Sequence, residues 1–348
     1  MDRKGPAVFR SRNPLGRQVV VITGASSGIG LATARMAAER GAKVVLAARS
    51  GDALARIESE IKAAGGQAIH VVADVGDRAQ VDAVAEAAIA RFGRIDTWVN
   101  DAGLSIFGKL EEVVEADNKR LFATNFWGVV NGSLAALPHL KRTGGVLINL
   151  GSVASDVAFP LQGMYCASKH AIKGFTDARR IELEEEGAGV AVTLIKPAAI
   201  DTPFPQNAKN YTDRAVKLPP PVYRTEEVAN AIVHAAVHPQ RDIYIGGGGR
   251  LMSAAQRLAP RTFDRIGRTM IAQQLRDEPA RGRAGALHQA GGASREAGST
   301  GRTSGDHPGY VMRRSFYTRS TLHPLASSIV AVGAVLAATS VLAGNRRR

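Results

Sequence analysis

Short apolar runs alternate with helix-length amphipathic stretches from Arg17 to about Gly246. The apolar runs predict strands at Val19–Thr23, Lys43–Ala47, Ala68–Val72, Ile95–Val99, Gly145–Asn149, Val190–Ile195 and Asp242–Ile245. The amphipathic stretches predict helices that include Ile29–Arg40, Asp52–Ala64, Val81–Phe92, Met164–Glu186 and Glu226–Val237. Continuously apolar strands that alternate with helices are typical of buried parallel strands joined by right-handed crossovers. The pattern therefore predicts an α/β fold, with a doubly wound parallel sheet of about seven strands and helices on both faces.

The segments outside this domain, which we place at 17–250, have different compositions. Residues 1–16 are basic, are interrupted by two prolines and lack the apolar core of a signal peptide, which predicts a flexible arm. Residues 251–275 are predicted to form a C-terminal helical extension. Residues 276–320 are rich in Gly, Ala, Arg and Ser and have few large apolar side chains, which predicts a disordered linker.

Residues 325–343 carry no charge and are flanked by arginines on both sides. As a helix, these 19 residues would extend about 28 Å, close to the thickness of a bilayer core. They predict a C-terminal membrane anchor, with the α/β domain in the cytoplasm. The alternative is an apolar helix that covers the domain or a partner subunit.

The positive charge of the chain is concentrated in the C-terminal region. Of the formal net charge of +14, residues 251–348 contribute +10, from 15 arginines and 5 acids. Residues 1–250 are almost balanced, so the charge gives little support to a nucleic-acid-binding domain. Cys166 is the only cysteine, which excludes an intramolecular disulfide.

A glycine-rich turn, Thr23-Gly24-Ala25-Ser26-Ser27-Gly28-Ile29-Gly30, joins the first predicted strand to the first helix. Glycines at such a turn allow close approach of a pyrophosphate to the N–H groups at the helix start. Arg49 follows the second strand, where an acid would bind the ribose 2′-hydroxyl of NAD and an arginine favours the 2′-phosphate of NADP. A solvated surface arginine is the alternative. Asp74 and Val75 follow the third strand and are expected at the adenine end.

Tyr165 and Lys169 lie four residues apart on a predicted helix and therefore share one of its faces. A nearby ammonium stabilises a phenolate and would bring the tyrosine pKa toward neutrality, although the same spacing also occurs in amphipathic surface pairs. Ser152 follows a predicted strand at its carboxyl end, 13 residues before Tyr165, and Asn125 lies 27 residues before Ser152. In contrast, His234 and His238 have no evident third ligand, so no metal site is predicted.

With these motifs in order, the chain resembles a short-chain dehydrogenase/reductase over about residues 17–250, which implies a Rossmann-type sheet. The resemblance implies that Tyr165 is the general acid–base, that Ser152 binds the substrate oxygen, and that Lys169 lowers the tyrosine pKa and binds the nicotinamide ribose. Asn125 would hold a water that connects Lys169 to solvent. The implied NADP(H)-binding residues are Thr23, Gly24, Ser26, Ser27, Gly28, Ile29, Gly30, Arg49, Asp74, Val75, Asn100, Ala102, Gly103, Tyr165, Lys169, Pro197, Ile200 and Thr202.

Two positions depart from the family pattern. Asp101 stands where the family has a second asparagine, and Ala198 stands where it has a glycine. Neither position belongs to the proton-transfer set, so we expect both to tune affinity without abolishing activity.

The apolar and aromatic loops 153–164 and 204–223, with Phe159, Phe204 and Tyr211, favour a lipophilic ketone or aldehyde as the substrate of a reductase. Alternatives are an NAD(P)-dependent alcohol dehydrogenase that works oxidatively, and a catalytically silent dinucleotide-binding scaffold. The resemblance also implies a homodimer or homotetramer, formed through the helices that carry Asn125 and Tyr165.

Overall fold

The computed structural model describes residues 12–280, 284–290 and 300–323. Seven parallel strands form the central sheet: β1 Val19–Thr23, β2 Lys43–Ala48, β3 Gln67–Val72, β4 Thr97–Asn100, β6 Val146–Leu150, β7 Ala191–Pro197 and β12 Asp242–Ile245. Their order across the sheet is β12-β7-β6-β4-β1-β2-β3. The chain therefore starts in the middle of the sheet and winds outward in both directions. The predicted fold class is confirmed.

Helices cover both faces of this sheet. The α-helices of the described residues are α1 Gly28–Glu39, α2 Gly51–Ala63, α3 Arg78–Phe92, α4 Glu115–Phe122, α5 Gly128–Thr143, α6 Gly163–Glu185, α7 Phe204–Asn207, α8 Thr225–Val237, α9 Gly247–Leu258, α10 Pro260–Gln274 and α11 Phe316–Leu322. Along β1, Val20 and Ile22 pack toward α1, α2 and α8, whereas Val19 and Val21 pack toward α3, α5 and α6. Alternate strand residues thus enter two apolar layers, which explains the continuously apolar strand sequences.

Observed elements lie close to the predicted ones. The bounds of β1 and β12 agree with the prediction, and the other sheet strands differ by one or two residues. Helix α3 starts at Arg78, three residues before the predicted start, because Asp77 caps it by accepting hydrogen bonds from the N–H groups of Ala79 and Gln80. The cap extends the helix beyond its apolar stripe.

The described parts of 276–320 are structured where the composition predicts a disordered linker. Short strands in the described chain are β5 Ile106–Phe107, β8 Ala199–Asp201, β9 Lys209–Asn210, β10 Arg214–Val216, β11 Val222–Arg224, β13 Leu275–Pro279 and β14 Val311–Met312. Strand β13 pairs with β10, and β14 pairs with β11. Leu287, one of the few large apolar residues in this part of the chain, is fully buried. These residues have too few apolar side chains to form a core of their own, and main-chain hydrogen bonds to the α/β domain hold them in place instead.

The ends of the chain lie largely outside the described residues. Of the predicted arm, residues 12–16 are described, and Arg12 donates hydrogen bonds to the carbonyls of Val237 and Gly189. Within the three described ranges, no helix is both long and apolar enough to span a membrane. The apolar segment 325–343 lies outside these ranges, so its role as an anchor stays a prediction.

Candidate active site

A cavity of about 660 Å³ opens at the carboxyl ends of the central strands. Most of the predicted site residues line it: Gly24, Ser26, Ser27, Gly28, Ile29, Arg49, Asp74, Val75, Ala102, Gly103, Ser152, Tyr165, Lys169, Pro197, Ile200 and Thr202. Thr23, Gly30, Asn100 and Asn125 lie behind this lining. The fold thus collects on one surface residues that are up to 178 positions apart in the chain.

The glycine-rich turn forms a cradle that only glycine permits. Gly24 has a φ of +74°, and a Cβ there would lie 2.9 Å from Cα of Ala102. A Cβ on Gly30 would lie 2.4 Å from the carbonyl oxygen of Gly24. Thr23 accepts hydrogen bonds from the N–H groups of Asp101 and Ala102 and so ties the turn to the loop after β4. These close approaches fit the pyrophosphate of a dinucleotide at the start of α1.

Asn100 has a different setting from the one that the family motif implies. It is buried, accepts a hydrogen bond from Nε1 of Trp98 at 2.8 Å, and donates to Asn149 at 2.9 Å and to Ser133 at 3.2 Å. These bonds fasten β4 to β6 and α5. The structure therefore gives this side chain a supporting position beneath the cavity.

Tyr165, Ser152 and Lys169 meet at the inner end of the cavity. Ser152 caps the short turn Val153–Ser155 and hydrogen-bonds with the Tyr165 hydroxyl. Nζ of Lys169 lies 5.8 Å from the centre of the Tyr165 ring and donates to the carbonyl of Leu150 at 2.8 Å. The helical spacing therefore places both side chains in the cavity, as the sequence predicts.

The pKa of Tyr165 moves away from neutrality. Burial raises this pKa, and the hydrogen bond with Ser152 offsets only part of that effect. The expected lowering of this pKa by the Lys169 ammonium stays a prediction, since Lys169 donates its hydrogen bond to the Leu150 carbonyl here. The hydroxyl is therefore a neutral phenol near neutral pH, which is the form that gives a proton.

Asn125 supports the loop beside Lys169. It is fully buried in the π-helical turn Ala123–Trp127. Its Oδ1 accepts a hydrogen bond from the Leu104 N–H at 2.8 Å. Its Nδ2 donates to the Leu104 carbonyl at 2.9 Å and to the Ser168 hydroxyl at 3.1 Å. Because these protein groups engage both ends of the amide, its side chain positions the loop, and the water-holding role that the resemblance implies for Asn125 stays a prediction.

Asp101 is the departure with the clearest consequence. Its carboxylate accepts a hydrogen bond from the Gly30 N–H and faces the charge of Lys169. Burial raises its pKa to about 7, and those two contacts lower it only in part. Burial likewise lowers the pKa of Lys169 to about 8, against the attraction of Asp101. The two groups form a coupled pair that titrates close to neutral pH.

Asp101→Asn is expected to move the alkaline limb of the kcat/KM profile to lower pH by about one unit. The ammonium of Lys169 is lost as the pH rises through its pKa, and removal of the neighbouring carboxylate lowers that pKa further. A pH series with saturating cofactor measures the shift. An unchanged limb, or a shift to higher pH, would contradict the coupling.

The substrate end of the cavity includes helices that sequence reasoning did not assign to the site. Phe159 and Phe204 line it as predicted, whereas Tyr211 lies behind them and donates to Asp117 at 2.6 Å. Helices α9 and α10 complete the wall with Leu251, Met252, Ala255, Phe263, Ile266 and Met270. The amphipathic pattern of the extension was the available signal, because its apolar face lines the cavity.

The C-terminal segment also reaches the cofactor end. Gly28 donates its N–H to the carbonyl of Arg302 at 2.9 Å, and Gly301 donates to the carbonyl of Ser26 at 2.8 Å. Arg49 donates to the carbonyls of Ala286 and Leu287. Donors that would meet cofactor phosphates are thus bonded to main-chain carbonyls of the C-terminal segment.

The histidines at the end of α8 do not line this cavity. The rings of His234 and His238 are 5.0 Å apart, and that of His323 is 5.0 Å from His234. Burial and the two neighbours lower the pKa of His234 to about 4, so it is neutral and does not act as a cation at the helix end. The described ranges contain no group of three or more His, Cys, Asp or Glu side chains arranged to hold a metal ion.

Comparison with known proteins identifies the family. Residues 18–212 match the family model described as short chain dehydrogenase. The uncharacterized oxidoreductase YxnA of Bacillus subtilis (strain 168) is 44% identical over 342 residues, which are 96% of this chain and 94% of that protein. The 11-beta-hydroxysteroid dehydrogenase A of Sesamum indicum is 35% identical over 64% of this chain and 67% of its own length.

A solved structure has the same architecture. The alcohol dehydrogenase from the archaeon Thermococcus sibiricus, complexed with 5-hydroxy-NADP, is 30% identical. It matches with a TM-score of 0.58 over 66% of this chain and 95% of that one. Since the family model covers more than half of the chain, and the motifs lie together in one cavity, the chain belongs to the short-chain dehydrogenase family of oxidoreductases that act on alcohol and carbonyl groups.

Proposed function

We propose that this protein is an NADP(H)-dependent reductase of a lipophilic ketone or aldehyde. The observation that carries the cofactor assignment is the guanidinium of Arg49, which lines the cavity directly after β2. An arginine there complements a 2′-phosphate with charge-assisted hydrogen bonds, and no acid stands beside it in the chain to accept from a 2′-hydroxyl. The archaeal structure with 5-hydroxy-NADP supports the same choice.

The site residues supply the proton transfer that carbonyl reduction needs. A bound nicotinamide cofactor would supply the hydride. The neutral phenol of Tyr165 gives its proton to the carbonyl oxygen of the substrate, and Ser152 orients that oxygen by hydrogen bonding. Lys169, fixed by the Leu150 carbonyl, places a cation where it can hold the nicotinamide ribose. Reduction is preferred over oxidation because the NADP pool, which Arg49 indicates as the source of the cofactor, is usually in the reduced state.

The lining of the substrate end supports a lipophilic substrate. Leu251, Met252, Phe263 and Met270 face the cavity from α9 and α10, opposite Phe204. Such a surface gains free energy by burying aliphatic chains or rings and offers few partners to sugar hydroxyls. The hydroxysteroid dehydrogenase from sesame, by its name, acts on a substrate of this kind.

We also propose assembly as a dimer or tetramer through α5 and α6. Trp127, Leu134 and Ile181 are exposed on or next to these helices, by 54%, 40% and 65%. Apolar side chains of this size would be covered by a second copy.

Arg49→Asp is expected to raise the Kd for NADPH about 100-fold and to leave NADH bound equally well or better, because the new carboxylate repels a 2′-phosphate and accepts from a 2′-hydroxyl. Titration of the full chain with both cofactors, followed by intrinsic fluorescence and thermal shift, measures this. Arg56→Asp is the matched control, since Arg56 is exposed on α2 and undergoes the same charge change.

The outcomes separate the alternatives. Equal or tighter binding of NADH by the unmodified chain would refute the NADP(H) assignment and favour the oxidative dehydrogenase. A chain that binds neither cofactor would be the silent scaffold.

A further inference from the structure

Two arginines converge on one oxygen at the cofactor end of the cavity. Nη1 of Arg49 and Nε of Arg120 each donate to the carbonyl of Leu287 at 3.1 Å. Arg49 follows β2 and Arg120 lies on α4, 71 positions later in the chain. A carbonyl oxygen has two lone pairs and can accept both bonds. The position of this oxygen therefore lies within reach of both guanidinium groups.

The charges around this oxygen are unbalanced. Arg120 forms an ion pair with Asp74, and both side chains are largely buried, with 20% and 25% exposed. The charge of Arg120 lowers the pKa of Arg49 in addition to the effect of burial. Two cations thus face one carboxylate and a neutral carbonyl. A group with two negative charges at the Leu287 oxygen would relieve their repulsion and could accept from both forks.

We propose that Arg120 is a second specificity-determining residue, which binds the 2′-phosphate of the cofactor together with Arg49 at the position of the Leu287 carbonyl. The proposal rests on the proposed NADP(H) function and adds a residue that the glycine and tyrosine motifs do not contain. Asp74 holds the Arg120 side chain toward this point. The phosphate takes over the hydrogen bonds that the carbonyl accepts.

The segment 284–290 does not depend on these two arginines for its place. The side chain of Leu287 is fully buried in an apolar cluster with Leu104 and Leu121. The N–H of Ala286 donates to the carbonyl of Asn207 at 2.8 Å. His288 pairs with Asp117 at 2.6 Å. With these anchors, a shift of the carbonyl groups of Ala286 and Leu287 releases the two arginines without loss of the whole segment.

The test compares Arg120→Gln with Lys119→Gln in the full chain. Both remove one charge from α4, but Lys119 is 76% exposed and pairs with Glu115 away from the cavity. Calorimetric titrations use NADPH, NADH, adenosine 2′,5′-bisphosphate and adenosine 5′-monophosphate. We expect Arg120→Gln to raise the Kd values for NADPH and for the bisphosphate about tenfold, because one charge-assisted hydrogen bond to the phosphate is lost. The Kd values of Arg120→Gln for NADH and the monophosphate, and all Kd values of the Lys119→Gln control, should change less than about twofold.

A cycle with Arg49→Gln tests whether the two residues act on the same group. We expect the Kd of the double variant for NADPH to rise by less than the product of the two single increases, since the loss of either arginine already weakens the binding of the phosphate by the other. Arg120→Lys keeps a positive charge to pair with Asp74 but lacks the planar guanidinium group. Its Kd for NADPH should lie between those of the unmodified chain and Arg120→Gln.

Each outcome decides something. If Arg49→Gln weakens the binding of NADPH and Arg120→Gln does not, the proposed function stands and this inference fails. If Arg120→Gln weakens NADH and NADPH equally, Arg120 only supports the fold through Asp74, and the inference is again overturned. If the unmodified chain binds NADH as tightly as NADPH and ignores the bisphosphate, both the inference and the NADP(H) assignment are overturned.

Discussion

Tyr165→Phe is expected to lower kcat for carbonyl reduction by about a thousandfold and to leave the Kd for NADPH within about twofold. The substitution removes the phenol proton that is transferred to the substrate oxygen, and general acid catalysis contributes about 10²- to 10⁴-fold. The ring stays buried against Phe204, with the two ring centres 5.5 Å apart. Folding should change little, because Ser152 keeps its bond from the Ala154 N–H.

Oxidation of NADPH, followed by absorbance with a panel of carbonyl compounds, measures this effect. The panel runs from small polar sugars to long-chain and ring ketones, and the unmodified protein should turn over the lipophilic members best. Tyr211→Phe is the control, since it removes a hydroxyl that bonds Asp117 outside the cavity lining. A Tyr165→Phe variant that keeps more than a tenth of the activity would mean that another group supplies the proton.

Local sequence patterns were sufficient for the central sheet. Each strand carries continuous apolar sequence because helices cover both faces, so Val19–Thr23 and Asp242–Ile245 are recognisable on their own. Helix ends depended on single caps such as Asp77, which amphipathic periodicity does not register. The fold class therefore followed from the sequence, whereas several boundaries did not.

The site was predictable where its residues are local in the chain. Tyr165 and Lys169 share one helix, and the glycine turn is one contiguous motif, so spacing alone brings each set together. Contacts over long chain separations had no such signal. Arg120 meets Leu287 across 167 positions, and composition predicted that the second of these lies in a linker.

Burial was the other quantity that the sequence did not reveal. Spacing placed Lys169 near Tyr165, but the direction of the tyrosine pKa depends on how much solvent the phenolate loses. The same burial raises the pKa of Asp101 and lowers that of Lys169, which makes an inconspicuous substitution in a family motif relevant to the pH profile.

Lys169→Met is expected to lower kcat/KM about a hundredfold without lowering Tm. Lys169 is only 6% exposed, and burial holds its pKa at about 8, so the folded protein carries a disfavoured cation at neutral pH. Methionine has a similar length and needs no such solvation. Asp101 loses its counter-charge in this variant, and its pKa should rise further, so that it takes up a proton and remains neutral.

The sign of the pH effect separates a chemical role of Lys169 from a structural one. In the unmodified protein, activity that needs the ammonium is present below pH 8 and is lost as the pH rises through the Lys169 pKa of about 8. Lys169→Arg stays charged in that range, so any activity it keeps should lack this alkaline limb. Lys173→Met, one turn further along α6, removes an ion pair with Asp177 and is the control. A Lys169→Met variant whose Tm falls in step with its activity, or whose alkaline limb is unchanged, would assign Lys169 to support of the fold alone.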